Sequence, residues 1–350
     1  MGRRTDRADR DRSFFRAFDR LAQWWWRPVN GRSFCRIRGV LSLLTAGYFL
    51  EAFSDLPIWF GETGLHSSAR VGQFLRSAGL EQEAAASISP LFLVDSYGIY
   101  YLYVVLAATV CLVIAGIDLF PKFRLAAADR PAVQRVMPAL PWAIWLLVIA
   151  WANRLMWLSG VPDTLLSWSW FAVAIAGSRG SRMSTVDHGA TEVANDYSGC
   201  SAMVGFGTRL LALQGSVLLL VTCISMLAAA TWWNGTGAIA LSTPAENRTV
   251  YLMPFLQPVW AHEWLTHAIV VAVPLGLFLA WRTTRTSRRV GVGILIAWAV
   301  VVALLGSHWL YGGLIGLAVY SIDVVSRDDP GDESPGRVGP NDTAPNESAG

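Results

Sequence analysis

Residues 209–237 constrain the fold of this chain more than any other stretch. They begin with Arg209 and Gln214, continue through a long, mostly apolar run, and end in Trp232-Trp233 and the turn-forming pair Asn234-Gly235. A helix rises about 1.5 Å per residue, so about 20 apolar residues cross a hydrocarbon core about 30 Å thick. An aromatic pair followed by a turn is typical of a helix that leaves a membrane interface. The stretch therefore predicts a membrane-spanning helix.

The remaining apolar residues also occur in long blocks. The chain of 350 residues is 53% hydrophobic and contains 17 tryptophans. A soluble protein of this length would show amphipathic helices or alternating strands instead. The formal charge of +3 averages a basic N-terminus and an acidic C-terminal tail, which membrane orientation explains without nucleic-acid binding. We expect an all-α, polytopic integral membrane bundle whose first partner is the lipid bilayer.

The apolar blocks predict about eight transmembrane helices. The fourth block is short unless it begins at the turn formed by residues 160–163, and the last breaks at Gly306-Ser307-His308, which predicts a hairpin of two spans. A break too weak to turn the chain would leave seven spans. The spans outside the stretch already described are predicted at about residues 38–52, 98–120, 140–158, 165–176, 264–281 and, for the hairpin, 290–325.

Arginine-rich segments set the expected orientation. They lie at the N-terminus, after the second and sixth spans, and at the borders of the loop after the fourth span. With eight spans they all fall on one side, which the positive-inside rule assigns to the cytoplasm. Both termini are then cytoplasmic and the protein lies in the inner (plasma) membrane. Only Lys122 among the 28 basic residues is not arginine, a bias typical of a bacterial coding sequence rich in GC.

Three regions follow from this pattern. Residues 1–33 carry nine arginines, and Phe14, Phe18, Leu21 and Trp25 recur at helical spacing, which predicts a basic amphipathic helix on an anionic leaflet. Residues 34–326 form the transmembrane region. Residues 327–350 are predicted to be disordered and acidic.

Several elements of the chain occur in the order of a known family. Arg209-Leu-Leu-Ala-Leu-Gln214 and Thr231-Trp-Trp-Asn-Gly-Thr-Gly237 resemble the fifth-helix signature of the vitamin K-dependent gamma-carboxylase-like membrane family, which carries the horizontally transferred transmembrane (HTTM) domain. The resemblance covers roughly residues 34–326. It implies structural or binding roles for the positions that match the family motifs, which are Arg154, Asp163, Asp187 within Thr185-Val-Asp187, Arg209, Gln214, Trp232 and Gly235.

The positions that carry the family's chemistry differ. In the family a tyrosine, a glycine and a lysine lie between the glutamine and the tryptophan, and the lysine is the proposed base. Leu219, Cys223 and Met226 stand there in this chain. We therefore expect an ordinary lipid-compatible helix at these positions and no lysine-dependent carboxylase activity. Val270 likewise replaces the family's glutamate ahead of Pro274.

Alternatives remain for the polar residues. Arg154 is expected to reach the membrane interface or to pair with Asp163, because an unpaired charge in an apolar span is costly. Gln214 is expected to hydrogen-bond across helices. Asp187 fits a helix cap or a loop, and Trp232 and Trp233 fit an interfacial belt.

Neither a metal nor a cofactor is assigned from the sequence. His262 and His267 are five residues apart, whereas the zinc-protease motif needs histidines four apart. The four cysteines are widely spaced and have no histidine at metal-ligand spacing.

Two functions remain open. The first is a non-catalytic binding or maturation partner for a secreted peptide or another membrane protein, since some members of the family resemble factors that mature an antimicrobial peptide. The second is a quinone-coupled, carboxylase-like enzyme that modifies peptides at the outer membrane face. A gene for a small exported peptide beside this one would favour maturation.

Overall fold

The structure, a computed structural model, describes residues 19, 21–60, 64, 67–77, 79, 89–94, 96–120, 122–123, 130–155, 160–180, 202–242, 258–282, 284–306 and 309–327. Within these ranges the chain is helical and contains no strand, so the expected all-α class is confirmed. The long helices are α1 (Gly31–Ala52), α2 (Tyr97–Leu119), α3 (Leu140–Arg154), α4 (Val161–Gly180), α5 (Ala202–Ala228), α6 (Val259–Ala280), α7 (Arg285–Gly306) and α8 (Trp309–Arg327). Shorter helices are Leu56–Phe60, Ser68–Ser77, Pro90–Leu93 (3-10), Pro131–Val136, Ala230–Trp233 and Gly237–Ser242.

Five of the described helices are long and apolar enough to cross a membrane. They are α2, α5, α6, α7 and α8. The remaining long helices α1, α3 and α4 do not meet the same criterion, and α3 has only 15 residues. By length and composition, these five helices fit a membrane protein.

Neighbouring long helices run antiparallel. Near the start of α1 the side chain of Arg38 binds Asp118 at the end of α2. Near the start of α5, Gly207 packs against Ala176, close to the end of α4. We call the end of the bundle where α1 begins the basic end, after its buried arginines Arg38, Arg209 and Arg288. The opposite end, where α1 stops, is called the loop end.

Helix α8 joins two apolar cores. One core is built mainly by α1–α4 and the other by α5–α8, and α8 contributes residues to both. A Cβ atom added to Gly215 of α5 would lie 2.2 Å from the Cβ atom of Ala318 in α8. On the other side of α8, a Cβ atom added to Gly312 would lie 2.6 Å from that of Ala303 in α7. Small residues thus allow α8 to pack closely against both neighbours, as is common between membrane helices.

Most predicted spans have a helix close to the expected place. Helix α2 begins and ends within one residue of its prediction, and α4 begins at the turn before Asp163. The last apolar block forms two helices, α7 and α8, and the contact of Gly312 with Ala303 makes them an antiparallel hairpin as predicted. Helix α1 begins earlier than predicted because the Asn30 side chain accepts a hydrogen bond from the backbone N–H of Arg32 (2.9 Å) and caps it.

The predicted fifth span was wrong at both ends. Helix α5 begins at Ala202, seven residues before Arg209, and stops at Ala228. Ala229 has extended backbone angles (φ −98°, ψ 127°), which interrupts the helix. The two tryptophans lie beyond this break in the separate short helix Ala230–Trp233. Hydropathy does not register such a break because the residues on both sides of it are apolar.

The segment before α1 packs against the basic end of the bundle. Residues 21–26 are helical. The Trp24 ring lies 6.4 Å from that of Trp281 after α6, and the Trp25 ring lies 5.4 Å from that of Phe206 in α5. Phe14 and Phe18 of the predicted surface helix, and the predicted tail after Arg327, lie outside the described residues. The boundary at residue 34 remains a prediction, with α1 already beginning at Gly31.

Candidate functional site

The residues that match family motifs do not meet in one site. Arg154 and Asp163 lie at the loop end, each with its own partners, and Arg209 lies at the basic end. Gln214 lies along α5, and Trp232 and Gly235 lie in the turn after it. Asp187 lies outside the described residues.

Arg154 is buried among aromatic rings at the loop end. Its side chain Nε donates a hydrogen bond to the Tyr100 hydroxyl (2.9 Å). The guanidinium carbon lies 4.5 Å from the ring centroid of Phe92, 4.9 Å from that of Phe60 and 5.7 Å from that of Tyr100. Only 1% of Arg154 is exposed. The interpretation of Arg154 as a side chain that reaches the interface was therefore wrong, and the cation–π contacts contribute to stabilising its charge inside the bundle.

Asp163 lies in the first turn of α4 and is bound by other partners than expected. Its Oδ1 accepts a hydrogen bond from the Tyr48 hydroxyl of α1, and its Oδ2 accepts one from the backbone N–H of Gly160 (2.6 Å). These two contacts hold the carboxylate, and within the described residues it forms no ion pair with Arg154. A carboxylate in the first turn also interacts favourably with the helix dipole. Asp163 thus ties the start of α4 to α1.

Arg209 fixes the N-terminal segment to α5. Its Nη1 donates hydrogen bonds to the backbone carbonyl of Arg27 and, at 3.5 Å, to that of Trp25. Its guanidinium carbon lies 5.3 Å from the Trp24 ring centroid. A Cβ atom at Gly205 would lie 2.0 Å from the Arg27 carbonyl oxygen, so only glycine permits this approach. These contacts indicate a structural role for Arg209.

Gln214 links two helices. Its Nε2 donates a hydrogen bond to the backbone carbonyl of Leu165 in α4 (3.2 Å), the kind of bond expected of an amide inside a helical bundle. A small cavity beside it is lined by residues of α4, α5 and α8, among them Ser169 and Gly215.

The motif around Gly235 forms a compact turn against the start of α6. Gly235 has a positive φ of 74°, and a Cβ atom there would lie 2.6 Å from Glu263 Cγ, so glycine is needed for both reasons. The Thr266 hydroxyl donates to the Gly235 carbonyl (2.9 Å) and accepts from the backbone N–H of Ala238 (3.0 Å). Trp232 is half-buried against Gly237, whereas Trp233 is 64% exposed. The two tryptophans therefore differ, and only Trp233 has the exposure of an interfacial residue.

Leu219, Cys223 and Met226 lie on one buried face of α5. Leu219, Cys223 and Met226 are 0%, 5% and 7% exposed and belong to the apolar core of α5–α8. These side chains point into the bundle, where they form part of an apolar core. Ile269 and Val273 of α6 belong to the same core. Leu219, Met226, Ile269 and Val273 carry neither a base nor a proton donor, and the thiol of Cys223 is only a weak hydrogen-bond donor.

Sequence reasoning missed the buried ion pair of Arg38 and Asp118. Arg38 Nε and Nη2 donate to the two carboxylate oxygens of Asp118 at 2.6 and 2.7 Å, and both residues are buried. This two-bond geometry is the strong form of an arginine–carboxylate contact. A lone aspartate within the apolar span of α2 was the available signal, since a charge in such a span needs a partner.

No group of three histidine, cysteine, aspartate or glutamate side chains able to hold a metal occurs in the described part of the chain. His262 is buried, and its backbone carbonyl lies 2.7 Å from the Thr266 hydroxyl, whose one proton is shared between this oxygen and the Gly235 carbonyl.

Comparison of the chain with protein-family models, with curated proteins and with solved structures gives no match. Function has to be inferred from the helices and contacts of this chain.

Proposed function

We propose that this chain is a multi-pass protein of a bacterial plasma membrane, with eight spans and both termini in the cytoplasm. Eight long helices alternate in direction, and five of them meet the length and hydropathy needed for a span. Helix α3 would reach only about 22 Å at 1.5 Å per residue, and a bilayer accommodates such a short helix by local thinning.

The distribution of charge supports the orientation. Most basic residues between and beside the helices lie at the basic end, whereas the loop end carries Glu51, Asp55 and Glu263 together with Arg70 and Arg76. By the positive-inside rule the basic end faces the cytoplasm. The described cations at the basic end outside its buried arginines are Arg27, Arg32, Arg36, Lys122, Arg130, Arg135, Arg282, Arg285, Arg289 and Arg327.

Within that membrane the protein acts as a binding or maturation partner for a secreted peptide or another membrane protein, and not as a lysine-dependent carboxylase. The observation that carries this proposal is the apolar burial of Met226 with Leu219 and Cys223. A general base has to reach the proton it removes. Methionine cannot accept or release a proton in this role, and its neighbours in the core are apolar.

A partner on the outer side would meet exposed aromatic residues at the loop end. Trp233, Trp260 and Trp264 are 64%, 67% and 73% exposed and lie in the turn after α5 and in the first turns of α6. Tryptophan is enriched at protein interfaces and at membrane interfaces. These side chains are a surface that a membrane-bound peptide could contact.

A second candidate is a quinone-coupled enzyme of the carboxylase-like type that modifies peptides at the outer face. One observation favours it. The Tyr48 hydroxyl donates to Asp163 at the loop end, and a tyrosine beside a carboxylate is able to exchange a proton. Both groups are held inside the bundle, so this candidate requires that the loop end opens.

The test is incorporation of labelled carbon dioxide into glutamate-containing peptides. The purified full chain is assayed with reduced vitamin K beside a catalytically competent relative as a positive control. We expect the relative to incorporate label and this chain to stay at background. Incorporation that survives Met226→Ala and is lost in Tyr48→Phe would overturn the partner proposal in favour of the enzyme.

A further inference from the structure

The connection between α6 and α7 carries an unusual density of cations. Four arginines lie within residues 282–289. Arg288 is 4% exposed, and its Nη1 donates to the backbone carbonyl of Ser326 near the end of α8 (2.8 Å). Arg282, Arg285 and Arg289 are exposed. One arginine therefore fixes the start of α7 to α8, and three present their charge outward.

The two helices meet closely just beyond this connection. A Cβ atom on Gly291 of α7 would lie 2.3 Å from the backbone nitrogen of Ala280 and 2.7 Å from the carbonyl oxygen of Gly276 in α6. The backbones of α6 and α7 are thus in direct contact one to two turns into α7. This contact fixes the position of the segment that carries the exposed arginines.

Exposed apolar side chains lie next to the cations. The guanidinium carbon of Arg282 lies 4.4 Å from the Phe278 ring centroid. Phe278 is 58% exposed, Trp281 is 40% exposed and Val290 is 49% exposed. Phe278 is one helical turn from Arg282 towards the middle of α6, so a molecule that contacts both needs an anionic head and an apolar body.

The charge at this place is not balanced by the first turn of α7. That turn, Arg285-Thr-Ser-Arg288, contains no acidic residue. Cations near the start of a helix are disfavoured by the helix dipole. In α8, which also ends at the basic end, Asp323 forms an ion pair with Arg327. An anion bound by the exposed arginines would offset both the repulsion among their charges and their unfavourable interaction with the dipole of α7.

We propose that Arg282, Arg285 and Arg289 bind the phosphate of an anionic phospholipid, whose acyl chains lie along Phe278. Clusters of basic residues beside a membrane helix recognise anionic headgroups. The site rests on the proposed insertion in the membrane and is independent of the proposed role towards a peptide. Topology reporters measure insertion separately, so a failure of the lipid site is distinguishable from a failure of the membrane assignment.

The test uses the full chain in detergent, titrated with phosphatidylglycerol or phosphatidylcholine of equal chain length, with bound lipid counted by native mass spectrometry. Loss of a basic residue that contacts an anionic headgroup weakens binding by about fivefold. We expect the double variant Arg285→Gln/Arg289→Gln to weaken phosphatidylglycerol binding by about tenfold or more and to leave phosphatidylcholine unchanged.

The matched control is Arg32→Gln/Arg36→Gln at the start of α1. These arginines are also exposed, one turn apart and at the basic end, so the loss of charge is equal. We expect less than about a twofold effect from it. Equal losses in both double variants would overturn the site, because general attraction to the charged protein would then explain the binding.

A third arm separates a lipid from a free anion. Phe278→Ala is expected to weaken phosphatidylglycerol binding and to leave the affinity for inorganic phosphate unchanged. If inorganic phosphate displaces the lipid at low millimolar concentration and Phe278→Ala has no effect on the lipid, the site binds a small anion and the lipid proposal falls.

Discussion

Arg154 is a cation buried inside the bundle, with 1% of its surface exposed. Arg154 is surrounded by the rings of Phe60, Phe92 and Tyr100. Cation–π contacts of a desolvated guanidinium are worth about 2 kcal/mol. The rings come from three segments, so this one side chain helps to hold the ends of α2 and α3 against the short helices between α1 and α2.

We expect Arg154 and Gln214 to stabilise the bundle rather than to catalyse. Arg154→Leu should destabilise the protein by about 2 kcal/mol or more through loss of the ring contacts and of the hydrogen bond to Tyr100. Gln214→Leu should cost about 1 kcal/mol through loss of its bond to the Leu165 carbonyl. The measurement is the yield of monodisperse protein and its thermal midpoint in detergent. An unchanged yield together with the loss of a defined activity would reverse this assignment.

The bond of Gln214 was predictable from the cost of an unsatisfied amide in an apolar environment. The aromatic surroundings of Arg154 were not, because Phe60 and Phe92 lie in connecting segments whose contacts leave no periodic signal in the sequence. Arg38 and Asp118 are each a charge next to or within an apolar span, which indicates that each needs a partner. The sequence does not identify that partner, because the two residues are 80 positions apart and only the fold brings them together.

At the scale of the helix, hydropathy located the apolar spans and failed at some of their ends. Helix α2 matches its prediction within one residue, since an apolar run with polar residues at both ends defines it. Helix α5 stops at Ala228 inside an apolar run, and only the backbone conformation of Ala229 marks its end. The sequence also did not predict which face of α5 is buried, because Leu220, Val221 and Ile224 on its exposed side are as apolar as the buried residues.

The contact between α5 and α8 yields a prediction at this scale. Gly215→Ala places a methyl group 2.2 Å from the Cβ atom of Ala318, so the two helices must separate, at a cost of about 1–3 kcal/mol. Gly116→Ala in α2 is the matched control, since a Cβ atom there meets nothing within 4 Å. Alanine is the better helix former, so the control should be neutral or stabilise by up to about 1 kcal/mol.

Thermal unfolding of both variants in the same detergent measures the difference. A Gly215→Ala variant as stable as the Gly116→Ala control would mean that the α5–α8 contact is looser than the packing around Ala318 indicates.

At the scale of the whole molecule, α8 has contacts at both ends of the bundle. The indole Nε1 of Trp309, at its start, donates to Glu51 at the end of α1 (3.0 Å), and the Trp309 ring covers Gly47. Near its end, the carbonyl of Ser326 accepts from Arg288 at the start of α7. Helix α8 therefore runs the length of the bundle, from the loop end to the basic end.

The path of α8 from the loop end to the basic end bears on the number of spans. If the eight long helices all cross the membrane, reporter fusions after Arg289 and after Val325 should both report a cytoplasmic location, whereas a fusion after Gly237 should report the outer side. The physical reason is that the basic end, which contains Arg288 and the arginines around it, is retained in the cytoplasm.

The fusion after Gly237 serves as the internal control, since both seven and eight spans place it outside. An outside signal after Val325 with a cytoplasmic signal after Arg289 would mean that residues 290–325 cross only once. Seven spans would then be correct, and the hairpin of α7 and α8, with the contact of Gly312 to Ala303, could not exist in the membrane.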